Sequence, residues 1–234
     1  MRPSVSKRDT ALILSAAALA CVILFAVVYT FVYYTDLPRI DSHIPEDYVP
    51  AFDFNKNGNS DAEDLVLGAR KDAQNHPTYD GSYQPGGYPP DDIGVCTDVI
   101  WRAFRAAGYS LRDMIDADIR TRPEAYPNID VPDSNIDFRR VKNLRVFFDT
   151  YAISLTTNIA KTNAWQPGDI VIFGDDTHIG IVSDKRTESG RPLLLHNGGQ
   201  DEREEDALGN DRVTGHYRFD ASRLPEELRI AWEG

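Results

Sequence analysis

The run Gly94-Val95-Cys96-Thr97-Asp98-Val99-Ile100-Trp101-Arg102-Ala103-Phe104 decides how the chain is to be read. Taken as a helix, it brings Cys96, Val99, Ile100, Ala103, Phe104 and Ala107 onto one face, with the spacing of a 3.6-residue period. Thr97, Asp98, Arg102 and Arg105 take the other faces, and Gly108 follows as a C-cap candidate. Upstream, Gly94 and the turn-rich run Pro85 to Asp92 set the helix start close to Cys96. A thiol there meets unpaired N–H groups and the positive end of the helix dipole, which favour a thiolate. It also faces inward, so a small buried hydrophobe is the competing reading.

Far upstream, Ala11 to Tyr34 is almost wholly apolar. At 1.5 Å per residue it is long enough to cross a hydrocarbon core of roughly 30 Å. Arg2, Lys7 and Arg8 precede it and Tyr29, Tyr33 and Tyr34 close it. The positive-inside rule then places residues 1–10 in the cytoplasm and everything after Thr35 outside. Ala18-Leu19-Ala20-Cys21 faintly resembles a lipoprotein processing site, but the apolar run continues past Cys21, which suits an uncleaved anchor. The expected organisation is a single-pass cell-membrane protein, with an anchor at 11–34, a linker at 35–50 and one extracytoplasmic domain at 51–234.

The chain of 234 residues carries a formal charge of −12, and residues 1–40 hold four basic and two acidic side chains, leaving −14 on the remainder. That excludes nucleic acid and docking on anionic lipid as expected partners. Cys21 lies in the apolar run, so the outer domain has a single cysteine and no internal disulfide.

Asp53, Asn55, Asn57, Gly58, Asn59, Asp61 and Asp64 match the spacing of a twelve-residue calcium loop leading into a helix at 65–74. Asp64 replaces the usual bidentate Glu, and Asn55 and Asn57 are neutral, so a weak structural calcium site is expected. The competing reading is a polar turn whose Asp61, Glu63 and Asp64 cap the helix. No organic cofactor is expected.

Helical patterns also cover 110–122 and 136–151, and strands follow at 169–173, 178–183, 193–196 and 215–219. Helices first and strands afterwards predict an α+β fold with an antiparallel sheet. Asp201 to Asp211 reads as a solvated acidic loop. Symmetric pairing about a turn at 184–190 sets His178 directly opposite His196, both on one face. Cys96, a histidine to take its proton and a second to orient the first follow the logic of a thiol hydrolase. Zinc held by Cys96, His178 and His196 is a further reading of the same residues.

Cys96-Thr97-Asp98-Val99 on a helix, then Gln166-Pro167-Gly168-Asp169-Ile170-Val171-Ile172-Phe173, His178-Ile179-Gly180-Ile181-Val182 and Leu195-His196 resemble the NlpC-type papain-like cell-wall peptidases. More closely, residues 60–220 resemble a bacterial domain family of unknown function grouped with them. The resemblance implies a papain-like NlpC-type fold with the nucleophile helix packed on the sheet. It implies Cys96 as nucleophile, His178 as base, His196 as its orienting partner, and Tyr83 as the upstream tyrosine whose hydroxyl lies near the nucleophile. It also implies an amide of a peptidoglycan stem peptide as substrate. The motif departs from the family in having Val95-Cys96-Thr97-Asp98 where Asp-Cys-Ser-Gly is usual, and in its long helical segment at 110–151. The alternative function is a non-catalytic wall-binding or calcium-stabilised scaffold that keeps the fold.

Overall fold

Ser60 starts the first helix. Its hydroxyl accepts the Glu63 N–H while Glu63 Oε2 accepts the Ser60 N–H at 2.7 Å, a reciprocal capping box. The computed structural model describes residues 47–233 together with Leu24. The expected membrane anchor and cytoplasmic N-terminus therefore lie outside the described residues, apart from Leu24. Among those described, no helix is long and apolar enough to cross a membrane.

Within 47–233 the chain forms four α-helices: α1 (Asp61–Asn75), α2 (Cys96–Ala106), α3 (Leu111–Thr121) and α4 (Val141–Tyr151). The strands are β1 (Thr78–Tyr79), β2 (Ile93–Gly94), β3 (Ile153–Ser154), β4 (Ile170–Phe173), β5 (His178–Arg186), β6 (Pro192–Leu195), β7 (Glu204–Glu205) and β8 (Val213–Arg218). β3-β8-β4-β5-β6-β7 make one antiparallel six-stranded sheet, and β1 and β2 a small parallel pair. The fold is α+β, helices first.

Alternation along the central strands sorts the core into two layers. Ile170, Ile172, Ile179, Ile181, Leu195 and Tyr217 face the helices, where Val99, Ile100, Phe104, Phe147 and Phe148 pack on them. Val171, Phe173, Val182 and Leu194 face the other way and are covered by Trp165, Ala207 and Leu208. α2 keeps the predicted inward face: Cys96, Val99, Ile100, Ala103, Phe104 and Ala107 are all buried. It ends where expected, Gly108 taking the left-handed conformation (φ 89°) just past it.

Three expectations are corrected. The segment 136–151 is not one helix but a 3₁₀ turn (Asp137–Arg139) followed by α4. Extended backbone at Arg140 (φ −114°, ψ 120°) separates them, and Arg139 turns into the interior to pair with Asp98. The acidic stretch 201–211 is not a solvated loop: it supplies edge strand β7 and buries Arg203, Ala207 and Leu208. The hairpin register also differs. Ile181 pairs with Leu195 and Val182 with Leu194, with a bulge before Arg186. Continued, this sets Gly180, not His178, against His196. A Cβ at Gly180 would lie 3.0 Å from the Cβ of His196, so any side chain there would have to push His196 or Leu194 aside. The slip is two residues, and an even slip keeps side chains on the same face.

Candidate active site

A buried ion pair holds the start of α2. Asp98 is fully buried and accepts the Val95 N–H (2.7 Å), the Trp101 indole N–H (2.7 Å) and two bonds from the Arg139 guanidinium (2.8 and 2.9 Å). A carboxylate at this third helical position satisfies an N–H that would otherwise be orphaned at the helix start. Arg139 also donates to Ser82 O (3.0 Å), and its own carbonyl accepts the Thr97 hydroxyl (3.2 Å). Loss of either partner strands a buried charge, at a cost of about 3–5 kcal/mol.

Cys96, the first residue of α2, is 5 % exposed and not in a disulfide. The backbone N–H groups of Ile179, Thr97 and Cys96 itself are directed at its sulfur. Burial nevertheless dominates and pushes the thiol up to about 11. The thiolate expected at a helix N-terminus is thus not the resting form: desolvation of the charged sulfur outweighs the N–H groups around it.

His178 opens β5 and His196 directly follows β6. His178 Nε2 and His196 Nδ1 share a hydrogen bond of 2.8 Å, with the rings edge-on at 83°. Burial, and then the neighbouring His196, lower His178 to about 4. Burial, and then Arg203, lower His196 to about 4. His178 Nδ1 makes no hydrogen bond among the described residues, and none joins Cys96 to either ring. Cys96 reaches the same rim of the sheet as the pair, its sulfur beside the Ile179 amide. Asn197 ties the two halves together. Its Nδ2 donates to Gly94 O (3.0 Å), two residues before Cys96, and its Oδ1 accepts the Gly199 N–H (3.0 Å).

The Tyr83 hydroxyl donates to Asp133 Oδ2 and accepts from Asn135 Nδ2, both at 3.0 Å. Tyr79 is a second tyrosine whose hydroxyl feels the charge of Cys96. Its hydroxyl is pushed up by burial and then by Cys96 and Asp98, and its ring lies against Gly199. Tyr79 precedes Tyr83 by four residues, and sequence spacing alone does not choose between them. Two neighbours of His196 were also not singled out from sequence. Glu205 Oε1 lies 3.2 Å from His196 Nε2, and the Gln200 amide lies 3.1 and 3.3 Å from the two ring nitrogens. Both come from the stretch expected to be a solvated loop or its border.

The remaining predicted residues are not part of this site. In the 53–64 loop, Asp53 accepts the N–H groups of Asn57 (3.2 Å) and Gly58 (2.9 Å). Asn55, Asn57 and Asn59 all direct side-chain NH₂ groups at Asp64 (2.9–3.1 Å). Asp61 turns into the core, where it accepts the Phe54 N–H (2.9 Å) and the Tyr109 hydroxyl (2.5 Å). As the loop stands, the six are held by hydrogen bonds: Asp61 by Phe54 and Tyr109, and Asp64 by the three asparagine amides. Among the described residues no cluster of three or more His, Cys, Asp or Glu is arranged to hold a metal, so Cys96, His178 and His196 do not converge as a zinc site would require.

A relative from Escherichia coli (strain K12), the uncharacterized protein YijF, is 39 % identical over 165 residues, covering 66 % of this chain and 80 % of that protein. No solved structure matches. The matched family model spans residues 66–219 and so takes in α2, both site histidines and the whole of the large sheet. The chain therefore belongs to the family described as domain of unknown function DUF1287.

Proposed function

We propose that the chain is a thiol hydrolase of the NlpC-type papain-like class, anchored in the cell membrane by residues 11–34, its domain outside, cleaving an amide bond of peptidoglycan stem peptides. The observation that carries this is a Cys at a helix N-terminus brought to the same rim of the sheet as a hydrogen-bonded histidine pair, half-buried His178 and buried His196. With Cys96 at about 11 and His178 at about 4, a thiolate–imidazolium pair costs on the order of 10 kcal/mol at rest. The resting pair is neutral, so His178 acts as a general base, taking the thiol proton as the sulfur attacks the amide carbon. A Cys96–His178 hydrogen bond forms when substrate is bound. N–H groups at the start of α2 stabilise the oxyanion. His178 then returns the proton to the leaving amine, and water hydrolyses the thioester. Tyr79, half-exposed beside Cys96, borders the entry to the sulfur.

The burial of Cys96 favours a second reading, a wall-binding module that has kept the fold without turnover. One experiment separates them: incubation of the chain with muropeptides and mass spectrometry of the products, alongside Cys96→Ala. A new cleaved species that is absent with Cys96→Ala is the expected result. Retention of muropeptides without cleavage supports the second reading.

A further inference from the structure

His178 can serve as a base only if its Nδ1 is bare, and the hydrogen bond to His196 does not by itself decide that. A bond between two ring nitrogens allows either ring to be the donor. The choice is made one step further out. Glu205, on edge strand β7, places Oε1 3.2 Å from His196 Nε2, and its side chain is 29 % exposed. A carboxylate at that distance is an acceptor only, and its charge favours the His196 tautomer that carries its proton on Nε2.

Gln200 does not oppose this. Its Oε1 accepts the Gly198 N–H at 2.7 Å, which turns its NH₂ toward His196. That nitrogen lies 3.1 Å from Nε2 and 3.3 Å from Nδ1. A group in the ring plane and nearly equidistant from both nitrogens would collide with Cε1 between them. The amide therefore lies over the ring face, off the in-plane lone pairs, and does not choose a tautomer.

We infer that Glu205 is a positioning residue that sets the protonation pattern of the whole chain of contacts. The Glu205 carboxylate faces Nε2–H of His196. His196 Nδ1 is then bare and accepts Nε2–H of His178, and His178 Nδ1 is left bare. When Cys96 loses its proton to that nitrogen, His178 becomes an imidazolium whose Nε2–H still points at an acceptor, so no bond has to be reversed. A leucine at 205 removes the preference and lets His196 hold its proton on Nδ1. His178 would then accept on Nε2 and carry its own proton on Nδ1, where it cannot act as a base. The consequence for catalysis rests on the reading given under Proposed function, but the tautomer pattern does not.

The test is nitrogen NMR of the full chain labelled with ¹⁵N-histidine, in which bare and protonated ring nitrogens resonate far apart. His178→Gln and His196→Gln assign the signals. In the unmodified protein both His178 and His196 are expected as Nε2–H tautomers. Glu205→Gln, which keeps an acceptor oxygen, should preserve the pattern, and Glu205→Leu should move proton density onto His196 Nδ1. Cys96 alkylation by iodoacetamide at pH 8 should slow about fivefold in Glu205→Leu and change less than twofold in Glu205→Gln. A His196 protonated on Nδ1 in the unmodified protein overturns the inference, and needs no variant to fold. So does a pattern that Glu205→Leu leaves unchanged. Failure to cleave muropeptides would count against the proposed function and leave this result standing.

Discussion

Two histidine clusters sit on the same sheet and differ in how their bonding capacity is used. At its centre, His216 on β8 is wholly buried, stacked on Trp165 at 3.8 Å and 4°. Its Nδ1 lies 2.7 Å from Thr156 O and its Nε2 2.9 Å from Asp169 Oδ2. Asp169 is in turn held by two bonds from Arg218 (both 2.7 Å) and by the Gln166 N–H (2.8 Å). Every polar atom of that ring has a partner that only accepts. At the rim, His178 and His196 spend their contacts on each other and on Glu205, and one nitrogen, His178 Nδ1, is left over. Burial and hydrogen bonding alone do not distinguish a structural histidine from one proposed to act as a base. What differs is whether the bonding capacity is exhausted. His216 joins β8 to the turn before β4, and the rim pair keeps an acceptor in reserve.

The sharpest way to break this contrast is by turnover. His178→Gln should lower muropeptide cleavage by about 10³-fold or more, as loss of a general base does. His216→Gln should leave cleavage per folded molecule within about twofold. Equal losses in both would mean that the rim pair is no more catalytic than the central ring.

Stability should rank the other way. His216→Ala opens a void against Trp165 and leaves the Thr156 carbonyl unpaired, a loss of about 3 kcal/mol. His178→Ala, at the rim, should cost under about 1 kcal/mol. Urea unfolding of both variants measures the difference.

The next effect is on pH. The folded chain holds His178 and His196 near 4, below the 6.5 of an unperturbed ring. The unfolded chain therefore binds more protons as pH falls below 6.5. The stabilising contribution is present above that value and is lost as pH falls toward 4. Between pH 7 and pH 5 the loss is about 2 kcal/mol per ring. Unfolding at the two pH values should show it, and the double variant His178→Asn, His196→Asn should flatten the slope.

The smallest effect is expected at the 53–64 loop, which like the His216 cluster is closed on itself by its own hydrogen bonds. We propose that it offers calcium two carboxylates, Asp53 and Asp64. With a Kd on the order of 10⁻³ M, 1 mM calcium stabilises by about 0.4 kcal/mol. That is a Tm rise of about 1 °C, lost in Asp53→Ala. A melt with calcium and with chelator measures it, and no rise at all reduces the loop to a cap on α1.

Much of this could be read from the residues in order. The apolar spacing from Cys96 to Ala107 specified α2, its buried face and its starting residue, because helix period and capping are local. Pairing of strands β5 and β6 put His178 and His196 on one face in the expected register and in any register an even number of residues away, because the pleat repeats every two residues. The family resemblance drew on the same local signals.

Other features were decided only when the chain closed on itself. The turn closes between Thr187 and Arg191, later than symmetric pairing expects, and the bulge before Arg186 recovers only part of the offset, leaving the register two residues away; no local signal encodes that. The arrival of Glu205 at His196 from edge strand β7 depends on which segments the sheet lays side by side. The charge state of Cys96 was decided there too. The helix start favours a thiolate by a local field, but the packing of α2 on β5 removes the water that would solvate it. Sequence determined which groups are present and which way each element faces them. Tertiary structure determined their solvation and their partners, because desolvation and contact between distant segments are properties of the folded chain and not of any stretch of it.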